Sequence, residues 1–183
     1  PAESASWHDT VIANSVLGYL LVAALATQLL VGVKLFMASE QDVRNQRQAP
    51  TVVVIAGLIS GAIMMSWGYQ LGLPRHEISL AGSFYFFAGA LQWLFCTAFF
   101  AQTRRQELGK MREALCLILG MAMAPAIMVV FVWFLAVTDT VPAVYREAGH
   151  GYQMAAAFAL LLPILAGHFY AMFSSETRRH AVN

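Results

Sequence analysis

Among the side chains of this sequence, His168 in the run Gly167-His168-Phe169-Tyr170 is the one best placed for chemistry, because it is an imidazole inside a long apolar segment. An ionisable group in such surroundings is a functional candidate, since its desolvation must be compensated by a specific partner. Gly167 beside it would leave room for a flat group, as a haem ligand or a quinone-binding histidine requires. A bis-histidine haem needs a second histidine at similar depth, and the chain has none. The other axial ligand would be Met121 or Met123, a residue of another subunit, or nothing. Gln28 and Gln92 are the other polar side chains expected in the same half of the bundle. With His168 they would hydrogen-bond a quinone-like head group, or they would bond one another across the bundle. The expected cofactor at His168, Gln28 and Gln92 is therefore haem b or a quinone. A plain hydrogen-bonded core and a proton relay are the competing readings.

Three further histidines, His8 beside Asp9, His76 beside Glu77, and His150, lie in separate polar segments at one end of the apolar runs. Brought together with a carboxylate they would suit zinc or copper. No HxH or HxxxH pair sets ligand geometry, so solvated loop histidines are the alternative. His150 and His168 are eighteen residues apart. On one helix that is about 27 Å, so the two cannot share a metal.

Away from their ends, the apolar runs contain no Asp, Glu, Arg or Lys except Lys34, which is close enough to an end to snorkel. A charge-coupled porter or proton pump is disfavoured on that ground. HExxH, GxSxG, a desaturase-type histidine box and a pair of intramembrane carboxylates are all missing. The sequence suits a non-catalytic subunit better than an enzyme acting alone, and nothing in it suggests a nucleic-acid partner.

The elements that must position these residues are five apolar runs, 11–36, 51–73, 78–102, 112–138 and 151–174. At about 1.5 Å per residue each reaches the roughly 30 Å of a hydrocarbon core. With 59% hydrophobic and 11% charged residues over 183 positions and a mean hydropathy of +0.62, little remains for an extramembrane fold. The expected fold is all-α: one transmembrane domain over 1–183, an up-down bundle of five helices joined by the short loops Met37–Pro50, Pro74–Glu77, Thr103–Met111 and Asp139–His150.

Lys34, Arg44, Arg47, Arg104, Arg105, Lys110, Arg112, Arg178 and Arg179 fall on one side, the last two beyond the fifth helix, and only Arg75 and Arg146 on the other. The positive-inside rule then places the N-terminus outside and the C-terminus in the cytoplasm. The first ten residues carry no basic n-region, and the first apolar run is longer than a secretory h-region, so no cleaved signal is expected. The expected location is a bacterial inner membrane, with an organelle of bacterial ancestry as the alternative.

Local signals fill in this frame. Cys96 and Cys116, near the inner helix ends, read as free thiols that pack as small apolar groups. Trp7, Trp67, Tyr69, Tyr85, Trp133, Tyr145 and Tyr152 read as an aromatic belt at the outer boundary. Trp93 and the run Phe84–Phe87 would bracket a flat cofactor or pack against helices and lipid. Pro125 and Pro163 interrupt the fourth and fifth runs near their middles. Gly57 and Gly61 form a GxxxG that would seat a helix of this chain or of a second subunit, and Gly82, Gly89 and Gly120 mark further close approaches.

Three functions remain in view. The first is a small membrane subunit of a multi-subunit electron-transfer complex of respiratory type, anchoring partners and contributing to a haem or quinone site near His168. The second is a homo-oligomeric channel or facilitator for a small neutral solute, motivated by the GxxxG and the prolines. The third is an assembly or scaffold factor in which no histidine matters.

Overall fold

The computed structural model describes residues 16–38, 42, 48–72, 80–105, 108–137 and 150–180. They form five helices and, among the described residues, no strand: α1 Val16–Met37, α2 Ala49–Gly72, α3 Leu80–Arg105, α4 Leu108–Val137 and α5 His150–His180. The first four contain stretches long and apolar enough to cross a membrane, whereas the described apolar part of α5, Ala156–Tyr170, is shorter. Helix is the expected solution for such segments, because it satisfies every backbone N–H and C=O within the segment where no water can do so.

The helices run past the ends of the apolar segments. The connection between α3 and α4 shrinks to residues 106–107, so most of the expected loop Thr103–Met111 is helical. Likewise α5 continues to His180, which puts Arg178 and Arg179 inside the helix and not beyond it. Hydropathy marks where lipid ends; Arg, Lys, Gln and Glu are good helix formers and carry the backbone on into the polar zone.

Helices α1 to α4 close into a ring, α1 against α2, α2 against α3, α3 against α4, and α4 back against α1. Helix α5 stands outside that ring on α4 and, more lightly, on α3. Its early residues Ala156 and Ala159 join the core cluster that holds Phe84 and Tyr85 of α3. Near its other end the Tyr170 ring meets Phe36 of α1, centroids 5.2 Å apart. It therefore crosses α4 obliquely.

Small residues set the close approaches, as expected where lipid offers apolar side chains no reason to prefer each other. A methyl group at Gly89 would lie 2.5 Å from the Gly61 carbonyl oxygen, and one at Gly68 would lie 2.6 Å from that of Gly82. The Gly57–Gly61 motif thus seats α3 of the same chain. Gly120 accommodates Pro163, whose Cβ would be 2.5 Å from an added methyl group, so the α5 proline is buried in the α4 contact.

Two apolar cores fill the ring. One contains Leu21, Met64, Trp67, Phe84, Tyr85, Met121 and Met128. The other, toward the basic ends of α1 and α3, contains Leu35, Val53, Cys96, Phe99, Met111, Leu115 and Ile118. Trp67 and Tyr85 depart from the expected belt, being buried against each other edge to face at 6.2 Å. Both occupy inward positions of α2 and α3, where their rings fill the space between helices. Tyr69 and Trp133 are exposed, in keeping with a belt; Trp7 and Tyr145, and the side chain of Tyr152, lie outside the described residues.

Candidate functional site

Between the two apolar cores, at mid-length of α1 and α3, lies a polar layer. Gln28 projects from α1 and Gln92 from α3, both fully buried, and Gln92 Nε2 donates a 2.6 Å hydrogen bond to Gln28 Oε1. Because α1 and α3 are opposite members of the ring, this bond spans its diagonal. The other halves of the two amides, Gln28 Nε2 and Gln92 Oε1, have no hydrogen-bond partner among the described residues. One donor and one acceptor are thus left over in an apolar interior, each costing roughly 1–3 kcal/mol while unpaired.

Helix α2 supplies the wall of this layer. A methyl group at Gly57 would collide with Cys96 Sγ and lie 2.8 Å from Gln28 Nε2, so glycine is what lets the amide rest on the α2 backbone. One turn along, buried Ser60 donates from its hydroxyl to the Gly57 carbonyl at 3.1 Å. Trp93, next to Gln92, is half-exposed, and its Nε1 donates to the Leu58 carbonyl at 2.9 Å. It ties α3 to α2 and does not flank an open slot. The run Phe84–Phe87 splits, with Phe84 and Tyr85 buried and Phe86 and Phe87 exposed. No signal of motif type marks Ser60, Cys96 or the Leu58 carbonyl as members of this layer, although Gly57 was legible as a point of close approach.

His168 is placed differently. The buried stripe of α5 is Ala156, Ala159, Pro163 and Gly167, and His168 falls on the exposed side with Leu161, Leu165 and Phe169. The structure brings Gln28 and Gln92 together inside the ring and sets His168 on the outer surface of the helix beyond it. Nor is there open space beside Gly167, where an added methyl group would lie 2.7 Å from Leu117 Cδ2. That glycine serves the approach of α4. In the same register His168 is level with Cys116 and Leu117, so Met121 and Met123 stand about 6–9 Å further along the axis. Met121 is also buried in the first core, and Met123 is exposed on α4.

The proposed outer metal set cannot be assembled from described positions. His8 and His76 lie outside the described residues, as does the side chain of His150, whose backbone begins α5. Among the described residues no three His, Cys, Asp or Glu side chains cluster as metal ligands would. Cys96 and Cys116 are free thiols, the first buried and the second half-buried.

Comparison with protein-family profiles, with curated proteins and with solved structures finds no match to this chain.

Proposed function

We propose that the chain is a membrane subunit of a larger electron-transfer assembly, and that the outer face of α5 around His168 is where a partner subunit, with a haem or quinone, completes it. The observation that carries this reading is the exposed imidazole amid Leu161, Leu165, Phe169 and Phe173. An imidazole that faces hydrocarbon without a hydrogen bond costs roughly 1–3 kcal/mol. A neighbouring subunit or a cofactor would remove that cost, whereas acyl chains would not. Since Met121 and Met123 are out of register, a second protein ligand to a haem on His168 would have to come from the partner. A quinone carbonyl would need only the imidazole N–H.

In this reading the Gln28–Gln92 layer holds the ring together and is a secondary place for a polar head group, its unpaired Nε2 and Oε1 offering one donor and one acceptor. Of the features that motivated a channel, Gly57, Gly61 and Pro163 are taken up in contacts within the chain, and Pro125 lies half-buried on α4. The proposed location is a bacterial inner membrane, and the distribution of Lys and Arg supports an orientation with the N-terminus outside and the C-terminus cytoplasmic.

Purification from native membranes in mild detergent, with an absorption spectrum, quinone extraction and a subunit inventory, tests the proposal. Co-purifying subunits together with haem or quinone, both lost in His168→Ala, are expected. A lone polypeptide without pigment or quinone, or a His168→Ala variant with unchanged partners and cofactor, defeats it and favours the scaffold reading. Solute flux into proteoliposomes containing this chain alone would favour the channel.

A further inference from the structure

At the basic end of the bundle, Arg112 on the second turn of α4 reaches across to α1 and donates from Nη2 to the Ala38 carbonyl at 2.9 Å. The guanidinium is half-buried, its Nε–H is shut off from solvent without an acceptor, and among the described residues no carboxylate pairs with it. A cation so held is solvated on one edge only, and its charge is left to be neutralised from outside the ring. Three more cations stand at the same end on the two ring neighbours of α4: exposed Lys34 on α1, and exposed Arg104 and Arg105 on α3. The Arg104 guanidinium lies 4.6 Å over the Phe100 ring, one turn back toward the apolar stretch, which sets its charge at the boundary and not out in water. The first turn of α4 carries no acidic residue to offset the positive end of its dipole. Beside these cations the surface is apolar, with Leu30, Val33 and Met37 exposed on α1 and Phe100 on α3.

We propose that this end of the bundle binds the phosphate group of an anionic phospholipid, with Arg112 as the inner donor and Lys34, Arg104 and Arg105 as the rim. Inorganic phosphate offers the same oxygens, but only a lipid also covers the apolar strip with its acyl chains. The site depends on the helices spanning a bilayer and is independent of the electron-transfer reading.

The test uses the full chain in detergent micelles, titrated with phosphatidylglycerol, phosphatidylcholine or sodium phosphate, with binding read by native mass spectrometry and thermal unfolding. Phosphatidylglycerol is expected to bind saturably and raise the unfolding temperature, while phosphatidylcholine does neither. Each rim cation replaced by Gln should weaken binding roughly fivefold. Arg112→Gln should remove the saturable phase; should that variant not fold, the surface triple variant Lys34→Gln, Arg104→Gln, Arg105→Gln decides. An equal response to sodium phosphate would support an anion site and overturn its assignment to lipid. Equal binding of the two lipids, or wild-type affinity in the triple variant, overturns the proposal. So does a Glu40→Gln or Glu107→Gln variant that binds phosphatidylglycerol more tightly than the natural chain, because Arg112 would then be neutralised by the chain's own carboxylate.

Discussion

Gln92 Nε2 and Gln28 Oε1 meet at 2.6 Å across the diagonal of the four-helix ring, each on a helix that touches the other's neighbours, and between two apolar cores. The bond is the polar cross-tie of the bundle, and it is half-satisfied, since each amide keeps one unpaired atom. In membranes such bonds are worth about 0.6 kcal/mol on average and up to about 1.7. Gln92→Leu is expected to destabilise the chain by roughly 1–3 kcal/mol, because it strands the whole Gln28 amide. The double variant with Gln28→Leu should regain most of that loss. Unfolding measurements in micelles on the full cycle check this, and equal additive losses would argue against coupling.

Substitution of the glycines should separate into two classes by what the new methyl group meets. At Gly89 and Gly68 it meets backbone of the facing helix, the Gly61 carbonyl oxygen and the Phe86 amide among the nearest atoms. At Gly32 it meets the tip of Leu119, which can rotate. Gly89→Ala and Gly68→Ala are expected to cost roughly 1–3 kcal/mol, and Gly32→Ala well under half as much. Thermal unfolding of the three variants side by side measures the difference.

For Trp93→Phe the ring is kept and the 2.9 Å bond to the Leu58 carbonyl is lost. The expected loss is about 0.5–1.5 kcal/mol. Hydrogen exchange should rise around Leu58 on α2 more than at the far end of that helix.

His168→Ala should leave the stability of the isolated chain within about 0.5 kcal/mol, since its side chain is exposed and no core contact depends on it. The same change should weaken retention of partners or pigment during purification. A large loss of stability in the isolated chain would mean that His168 is a packing residue.

Legibility differed sharply between levels. Five helices were evident as runs of hydropathy, though not the shorter apolar part of the fifth, and Gly57, Gly61, Gly82, Gly89 and Gly120 were evident as points of close approach, whereas Gly32 and Gly68 were not and Gly167 read as space for a flat group. Helix ends were not evident, because Arg104, Arg105 and Arg178 are as comfortable in helix as in a loop once lipid has ended. Nor was the partner of Gly57–Gly61, since a GxxxG motif describes a shape that any helix can meet and does not name which one. Gln28 and Gln92 were recognisable as polar candidates, and their pairing was one of two arrangements the residues allowed.

What the amino-acid order alone determined is the solvent and the secondary structure: stretches this apolar partition into hydrocarbon, and in hydrocarbon a backbone must bond to itself. Which way each side chain faces was decided only by assembly. These helices are apolar on every side, so no stripe distinguishes inward from outward, and Gln28, Gln92 and His168 look alike as isolated polar residues in oily runs. Packing α1 to α4 into a ring turned the two glutamines toward each other. Laying α5 on α4 through Ala156, Ala159, Pro163 and Gly167 turned His168 outward, because the small residues that permit helices to touch lie on the opposite side of that helix.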